Sequence, residues 1–352
     1  MKPVHIALLY VDEHDKDNWM NVLRVAENAE ATAINLSGGY WWEECHRKDY
    51  DIYILRPPGM TNLHKSMFDE RVRIFSANKR ALFYPSILEC ELYENKKFLS
   101  YWLRANDIPH PATRVFYNKQ EALAWVSKAA YPLVGKINIG ASGKGVRILY
   151  RESDAVKYVS TAFDKGLKPY IGPNLKHGRI IKKISNAIRK KGLVGKRVKS
   201  YKAIMAESQK YCIFQEFIKH GFEWRVVIIG ESYFAHKKLL HEQKASGSLR
   251  KDYSDPPLRL LDFAREIFMK NSFLSVSMDI FQSGEGFLVN EIQCYFGQSD
   301  SFQMKVNGVE GRYVYKNEWV FEAGDFARNQ CYNLRLEHIL QLHNSRQESL
   351  KQ

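Results

Sequence analysis

No apolar run in this 352-residue chain approaches the roughly 18 to 20 residues that cross a bilayer, so a helical membrane span is not expected. The N-terminal MKPVHIALLYVDEH lacks a secretory pattern, because its apolar stretch is short and runs directly into acids. These two absences point to a soluble cytoplasmic protein. Cysteine is scarce: Cys45, Cys90, Cys212, Cys294 and Cys331 are odd in number and scattered, with no CxxC and no His-flanked pair, which argues against a zinc site and for reduced structural thiols. Acids are missing altogether from 176–202, which holds eleven Lys/Arg and accounts for most of the formal charge of +14. Internal repeats and low-complexity tracts are absent too.

What is present is a globular composition, 45% hydrophobic, long enough for two or three domains. Apolar runs at 4–11, 31–36 and 51–55, separated by polar or helix-like stretches, predict a small α/β domain with a partly parallel sheet. The third run ends in Arg56-Pro57-Pro58-Gly59, at the kind of strand end where ligands bind, so Arg56 is a candidate substrate contact. Phe98, Leu99, Trp102 and Leu103 predict a helix over 94–107, stopped by Ile108-Pro109-His110-Pro111, with a domain boundary near 90–95. Asn118 and Glu121 have the spacing of a capping box for a helix running to Val126. Strands follow at 133–137 and 146–150, then at 211–218, 224–230 and 232–239. Leu258, Leu261, Ala264, Ile267 and Phe268 mark an amphipathic helix. Strands 274–281 and 287–293 are joined by Ser283-Gly284-Glu285-Gly286, a hairpin signal. The resulting division is 1–92, 93–170, a basic insert 171–204, and 205–345 ending in a helix.

Gly140-Ala141-Ser142-Gly143-Lys144-Gly145-Val146 resembles a P-loop, but Val-Arg follows Gly145 where Lys-Ser/Thr is required. It also lies between two strands, which suits a flap of backbone N–H groups over phosphates. Lys136, on the preceding strand, alternates with Leu133, Gly135 and Ile137 and faces the other way; a lysine in an apolar strand needs an anion, or else it is simply exposed. Phe287, Val289, Glu291 and Gln293 are read as one strand face, with Asp279 opposite 290 or 291 across the hairpin, so three oxygen donors can converge as Mg²⁺ prefers. Surface acids would be the plain alternative, but the strand looks buried on both faces. A further hairpin about Gly230-Glu231 puts Glu223 and Arg225 near His236 and Lys238, an arrangement that fits phosphate and ribose contacts or salt-bridged surface pairs.

In order and spacing these motifs resemble the ATP-grasp superfamily over residues 93–300, and are similar to D-alanine–D-alanine ligases, glutathione synthetases and ribosomal-protein glutamate ligases. The resemblance implies a small N-terminal α/β domain followed by a two-lobed α+β nucleotide clamp. It further implies nucleotide contacts from Lys96 (favoured over Lys97), Lys136 and the loop glycines and serine Gly140, Ser142, Gly143 and Gly145. Glu216 with the backbone of Phe217 and Ile218 matches the adenine-reading hinge, and Glu223 the ribose acid. Arg225 and Lys238 match phosphate or transition-state positions. Asp279, Glu291 and Gln293 match the family's Asp…Glu-x-Asn metal set for Mg²⁺, with Mn²⁺ as a substitute. Gln293 departs from the usual Asn, and Cys294-Tyr295-Phe296-Gly297 replaces the usual Ser-Pro-Gly. The stretch 297–336 resembles a subgroup linked with bacterial surface-polysaccharide synthesis.

The implied reaction is an ATP-dependent carboxylate–amine ligation through an acylphosphate, with small-molecule or glycan substrates. A kinase on the same nucleotide site is the alternative, and nucleic-acid binding through the basic insert a third reading, weakened by its few aromatics. Ile180, Ile181, Ile184 and Ile188 form one stripe of a basic helix suited to an anionic membrane face; a solvated helix fits equally well. Relatives of this type also suggest a homodimer.

Overall fold

Val, Ile, Leu and Tyr fill the first strands at successive positions, so both faces of their sheet must be covered, as in parallel sheets. In the computed structural model, β1 (Val4–Tyr10), β2 (Ala29–Asn35), β3 (Ile52–Leu55) and β4 (Leu82–Tyr84) form a parallel sheet in the order β2-β1-β3-β4. Ile6, Leu8, Ile52 and Ile54 pack on one side against Trp19, Val22, Tyr332 and Ile339. Ala7, Leu9, Tyr53 and Leu55 pack on the other against Phe68, Val72 and Phe75. The sequence runs at 4–11, 31–36 and 51–55 correspond to the first three strands; the fourth, three residues long, carries too little periodicity to be read. The structure describes residues 3–77, 79–140, 145–168, 208–241, 244–245, 250–284 and 286–349. The basic segment 176–202, with its membrane and nucleic-acid readings, lies outside them.

The chain divides into two compact units, one of Met1–Pro58, Leu63–Pro111 and Ile218–Gln352, the other of Gly59–Asn62 and Ala112–Phe217. In the smaller unit, β5 (Thr113–Phe116), β6 (Leu133–Lys136), β7 (Val146–Leu149) and β8 (Cys212–Glu216) form an antiparallel sheet ordered β5-β8-β6-β7. Its core is closed by helices Lys119–Val126 and Glu152–Asp164 through Ala122, Val126, Ala155, Tyr158 and Val159. The first helix starts where the Asn118 side chain accepts from the amides of Gln120 and Glu121. Gly135 is required at its position, since a Cβ there would meet the Tyr158 ring at 2.8 Å.

The larger unit continues with β9 (Phe222–Ile229), β10 (Ser232–His241), β11 (Lys244–Ala245), β12 (Lys251–Asp252), β13 (Ser275–Ser283), β14 (Gly286–Gln293), β15 (Lys305–Val306), β16 (Val309–Tyr315) and β17 (Trp319–Ala323). Among the described residues they make a nine-stranded sheet along the path β14-β13-β9-β10-β16-β15, with β11 and β12 on β10 and β17 on β16. Trp224, Val226, Ile228, Val276, Met278, Ile280, Phe287, Val289 and Ile292 turn to one face. Helices Leu258–Lys270 and Lys96–Ala105 cover that face with Leu260, Leu261, Ala264, Ile267, Phe268, Leu99 and Leu103. Leu258, counted on the apolar stripe from sequence, is the first residue of its helix and is exposed, while Leu260 takes the buried place.

Candidate functional site

The opposite face of the same central strands is polar, and strand register builds it. Across β9 and β10, His236 pairs with Arg225 and Lys238 with Glu223. Across β9 and β13, Asp279 pairs with Arg225. The hairpin of β13 and β14 runs in simple register from Ser283↔Gly286 to Ile280↔Val289, then shifts so that Asp279 meets Glu291 and Ser277 meets Gln293. Asn290 is therefore the extra residue of a β-bulge. This corrects the single-face reading of β14. Phe287 and Val289 belong to the apolar face, where Ile292 rejoins them, whereas Glu291 and Gln293 come out beside Asp279. A strict period of two would have left the two polar side chains on the dry side.

On that face Asp279 accepts from Arg225 Nε at 2.8 Å and Nη2 at 3.0 Å, and from Lys238 Nζ at 2.6 Å. Lys238 also donates to Glu223 at 2.8 Å. All four side chains are buried. Burial opposes the charged form of Asp279, but Arg225 and Lys238 outweigh it and hold the carboxyl well below the usual range. The same contacts overcome burial to raise Arg225 and Lys238.

His236 sits at the end of this row, and its Nδ1 lies 2.8 Å from the carbonyl oxygen of Gln303. A carbonyl only accepts, so Nδ1 carries the proton and Nε2 presents its lone pair. Among the described residues this buried Nε2 has no hydrogen-bond partner, and neither has the Ser277 hydroxyl. Burial and then the nearby Arg225 push the His236 ring down to about 3, which keeps it neutral.

Lys96 opens helix Lys96–Ala105, capped by Asn95, whose side chain accepts from the Phe98 amide. Its Nζ lies 3.9 Å from Glu291 Oε1 and 3.5 Å from Glu94 Oε2. Glu94, which the sequence reading left aside, is buried and accepts at 2.8 Å from the Gln293 amide nitrogen. Burial pushes it up to about 7, with Lys96 opposing and Glu291 adding to the rise. The signal available in sequence was an acid in the short turn between two apolar helices, Leu92-Tyr93-Glu94-Asn95.

Asp279, Glu291 and Gln293 are thus brought together on adjacent strands but do not close a cage. Among the described residues no group of three or more His, Cys, Asp and Glu is placed to hold a metal ion.

In the smaller unit, Lys136 is buried on the face of β6 opposite Gly135, as the alternation requires. Gly140 has φ +150, a region that favours glycine. A Cβ at Gly145 would meet Ile137 at 2.6 Å. Ser142 and Gly143 lie outside the described residues. Glu216 ends β8, and its carboxylate accepts from the Ala112 amide at 3.3 Å. Phe217 and Ile218 fall on either side of the division between the two units. In the larger unit Arg56 lies over the Tyr295 ring, 4.3 Å from its centroid, and donates to the Pro57 carbonyl. No helix among the described residues is long and apolar enough to cross a membrane.

Neither a family model nor a curated protein matches the chain. Solved structures do. D-alanine–D-alanine ligase from Bacillus anthracis complexed with ATP is 12% identical over 98% of this chain and 100% of its own, with a TM-score of 0.52. A RimK domain protein, ATP-grasp, from Sphaerobacter thermophilus is 16% identical over 82% and 90%, with a TM-score of 0.50. N5-carboxyaminoimidazole synthetase from Staphylococcus aureus complexed with ADP is 10% identical over 84% and 72%, with a TM-score of 0.52. Identities this low speak to architecture alone, and the architecture they share with this chain is the ATP-grasp fold.

Proposed function

We propose that the chain is an ATP- and Mg²⁺-dependent ligase that joins a carboxylate to an amine through an acylphosphate. The observation that carries this reading is the polar face on which Glu223, Arg225, Lys238, Asp279, Glu291 and Gln293 gather, with Lys96 beside it, in an ATP-grasp fold. The ligase and the synthetase named above were solved with ATP and ADP, which supports a nucleotide as the ligand of this face.

The donors fit Mg²⁺. Asp279 and Glu291 offer hard oxygens, and Gln293 offers an amide carbonyl whose nitrogen is already committed to Glu94. Three protein ligands suit an ion that keeps waters and phosphate oxygens in the rest of its shell. Asp279 accepts three hydrogen bonds, two at Oδ2 and one at Oδ1, and a carboxylate has about four lone-pair sites. Its Oδ1 therefore keeps capacity for an ion. When bound, the ion would neutralise charge on phosphate oxygens.

The chain's own residues supply the rest. Arg225 spends two N–H donors on Asp279, so its guanidinium can hold that carboxylate and reach a phosphate at once. Lys238, Lys96 and Lys136 offset developing charge, and Glu223 binds the ribose. Glu216 and the backbone of Phe217 and Ile218 read the adenine edge. On the sequence resemblance, Gly140, Ser142, Gly143 and Gly145 belong to the phosphate-binding set, whose backbone amides would stabilise phosphate charge. Catalysis is positioning and charge neutralisation, with no covalent bond to a side chain. Surface-polysaccharide substrates, a cytoplasmic location with peripheral contact at the inner membrane face through 176–202, and a homodimeric assembly are part of the proposal on sequence grounds.

The test is a product assay with [γ-³²P]ATP over a panel of amino acids, uronic acids and amino sugars. A ligase forms an amide and releases phosphate only when acid and amine are both present. Transfer of label to a single acceptor means a kinase instead. Glu291→Ala should abolish Mg²⁺-dependent ATP turnover and leave the circular dichroism spectrum unchanged; undiminished turnover would remove the metal site from the proposal.

A further inference from the structure

We propose that Glu94 is a positioning residue of this site, holding the Gln293 amide and the Lys96 ammonium in the orientations that receive a metal–nucleotide complex. The inference rests on the nucleotide reading above and deepens it. Its basis is geometric. Glu94 lies between helix Ile87–Leu92 and helix Lys96–Ala105 with a left-handed backbone, φ +53, which a non-glycine residue adopts only when its surroundings demand it. The conformation brings a buried carboxylate, 4% exposed, back onto β14. Its Oε1 accepts from Gln293 Nε2 at 2.8 Å, and Oε2 lies 3.5 Å from Lys96 Nζ.

Two consequences follow from these contacts. The nitrogen of the Gln293 amide is the end that faces Glu94, so the carbonyl is the end presented elsewhere. Glutamine has one more rotatable bond than the asparagine usual at this place, and the bond to Glu94 removes the freedom that the extra methylene adds. Lys96 lies 3.5 Å from Glu94 and 3.9 Å from Glu291, both longer than a tight ammonium–carboxylate contact. Its ammonium is thus held between two acids, and removing Glu94 takes away one of the groups that fix where it sits. Partners of this kind, one step behind a ligand, typically change metal affinity by about 10- to 100-fold when removed.

The experiment is isothermal titration with ATP, in Mg²⁺ and separately in EDTA, on wild type, Glu94→Ala, Glu94→Gln, Gln293→Asn and the double variant Glu94→Ala/Gln293→Asn. Glu94→Ala should weaken Mg²⁺–ATP binding by about 10-fold or more, and ATP binding in EDTA by less than about 3-fold. Glu94→Gln, which keeps an acceptor for the Gln293 amide at the same size, should lie between the two. In the Gln293→Asn background the cost of removing Glu94 should shrink to less than about 3-fold, because the shorter amide needs less support. A merely structural role for Glu94 would weaken binding equally with and without metal. That result, or Mg²⁺–ATP affinity within about 2-fold of wild type in both Glu94 variants, overturns the proposal. A wild-type protein that binds no Mg²⁺–ATP overturns the nucleotide reading itself and Glu94's role with it.

Discussion

Asp279→Ala leaves Arg225 facing a space where two hydrogen bonds and a full charge had been. Lys238 keeps Glu223 at 2.8 Å, so the stranded group is the guanidinium alone, 7% exposed. Removing one partner of a buried pair costs about 3–5 kcal/mol, most of it the desolvation of the charge left behind. Asp279→Asn should cost less, because it leaves an acceptor oxygen in place. Arg225→Met/Asp279→Leu removes both members and should fall within about 1–2 kcal/mol of wild type, since apolar groups of similar volume replace a pair whose attraction had mainly offset its own burial. The assay is equilibrium urea unfolding by circular dichroism, with the slope compared between variants before midpoints are converted. A loss below about 1 kcal/mol for Asp279→Ala, or a double variant as unstable as the single one, would refute the account of this cluster. Because the Asp279 carboxyl titrates below its usual value in the folded protein, its contribution is present above the unfolded value near 3.9 and fades as pH falls below it.

Other outcomes can be checked in parallel. Gly135→Val drives a side chain into the Tyr158 ring and should lower stability by about 1–3 kcal/mol in thermal unfolding; a neutral result would mean that the helix over β6 yields freely. Glu89 accepts from the amides of Ser86, Leu274 and Ser275, so Glu89→Ala should cost about 2–4 kcal/mol by stranding buried donors, read as a fall in the urea midpoint. The His236 ring, held down to about 3, should show ¹⁵N shifts of an Nδ1–H neutral imidazole unchanged from pH 8 to pH 5, and a midpoint above 6 would contradict its burial beside Arg225. Since the unfolded chain takes up that proton near 6.5 and the folded one does not, this residue lends stability above pH 6.5 that is lost as pH falls toward 3.

Much of the fold could be read from periodicity because most of its strands obey it. The apolar runs at 4–11 and 51–55 became buried parallel strands, and Lys136 took the face that its alternation with Leu133 and Gly135 assigns. The hairpin about Gly284 fell where its turn residues put it, with φ +56 at that glycine. Legibility failed where one residue breaks a pattern. Nothing local marks Asn290 as the extra residue of a bulge, because the apolar–polar pattern of β14 can be parsed with or without it. Glu94 was illegible for a different reason: its importance lies in contacts with Gln293, 199 positions away, and its local context offers only a charged residue in a turn. Leu258 shows the reverse error, an apolar residue with the right spacing placed two residues before its helix begins to face the core.

The bulge at Asn290 also governs which changes in length this chain can survive. Asn290 could be exchanged for many residues with modest effect, and deleting it would restore unbroken alternation through to Gln293. Glu291 and Gln293 would still come out beside Asp279 and Ser277, with Ile292 among Val276, Met278 and Ile280, because the bulge residue is the one the alternation does not use. A single missing codon at this place would leave the wet surface and the dry one as they are, whereas one missing from an unbroken stretch of the strand would exchange them for every residue beyond it.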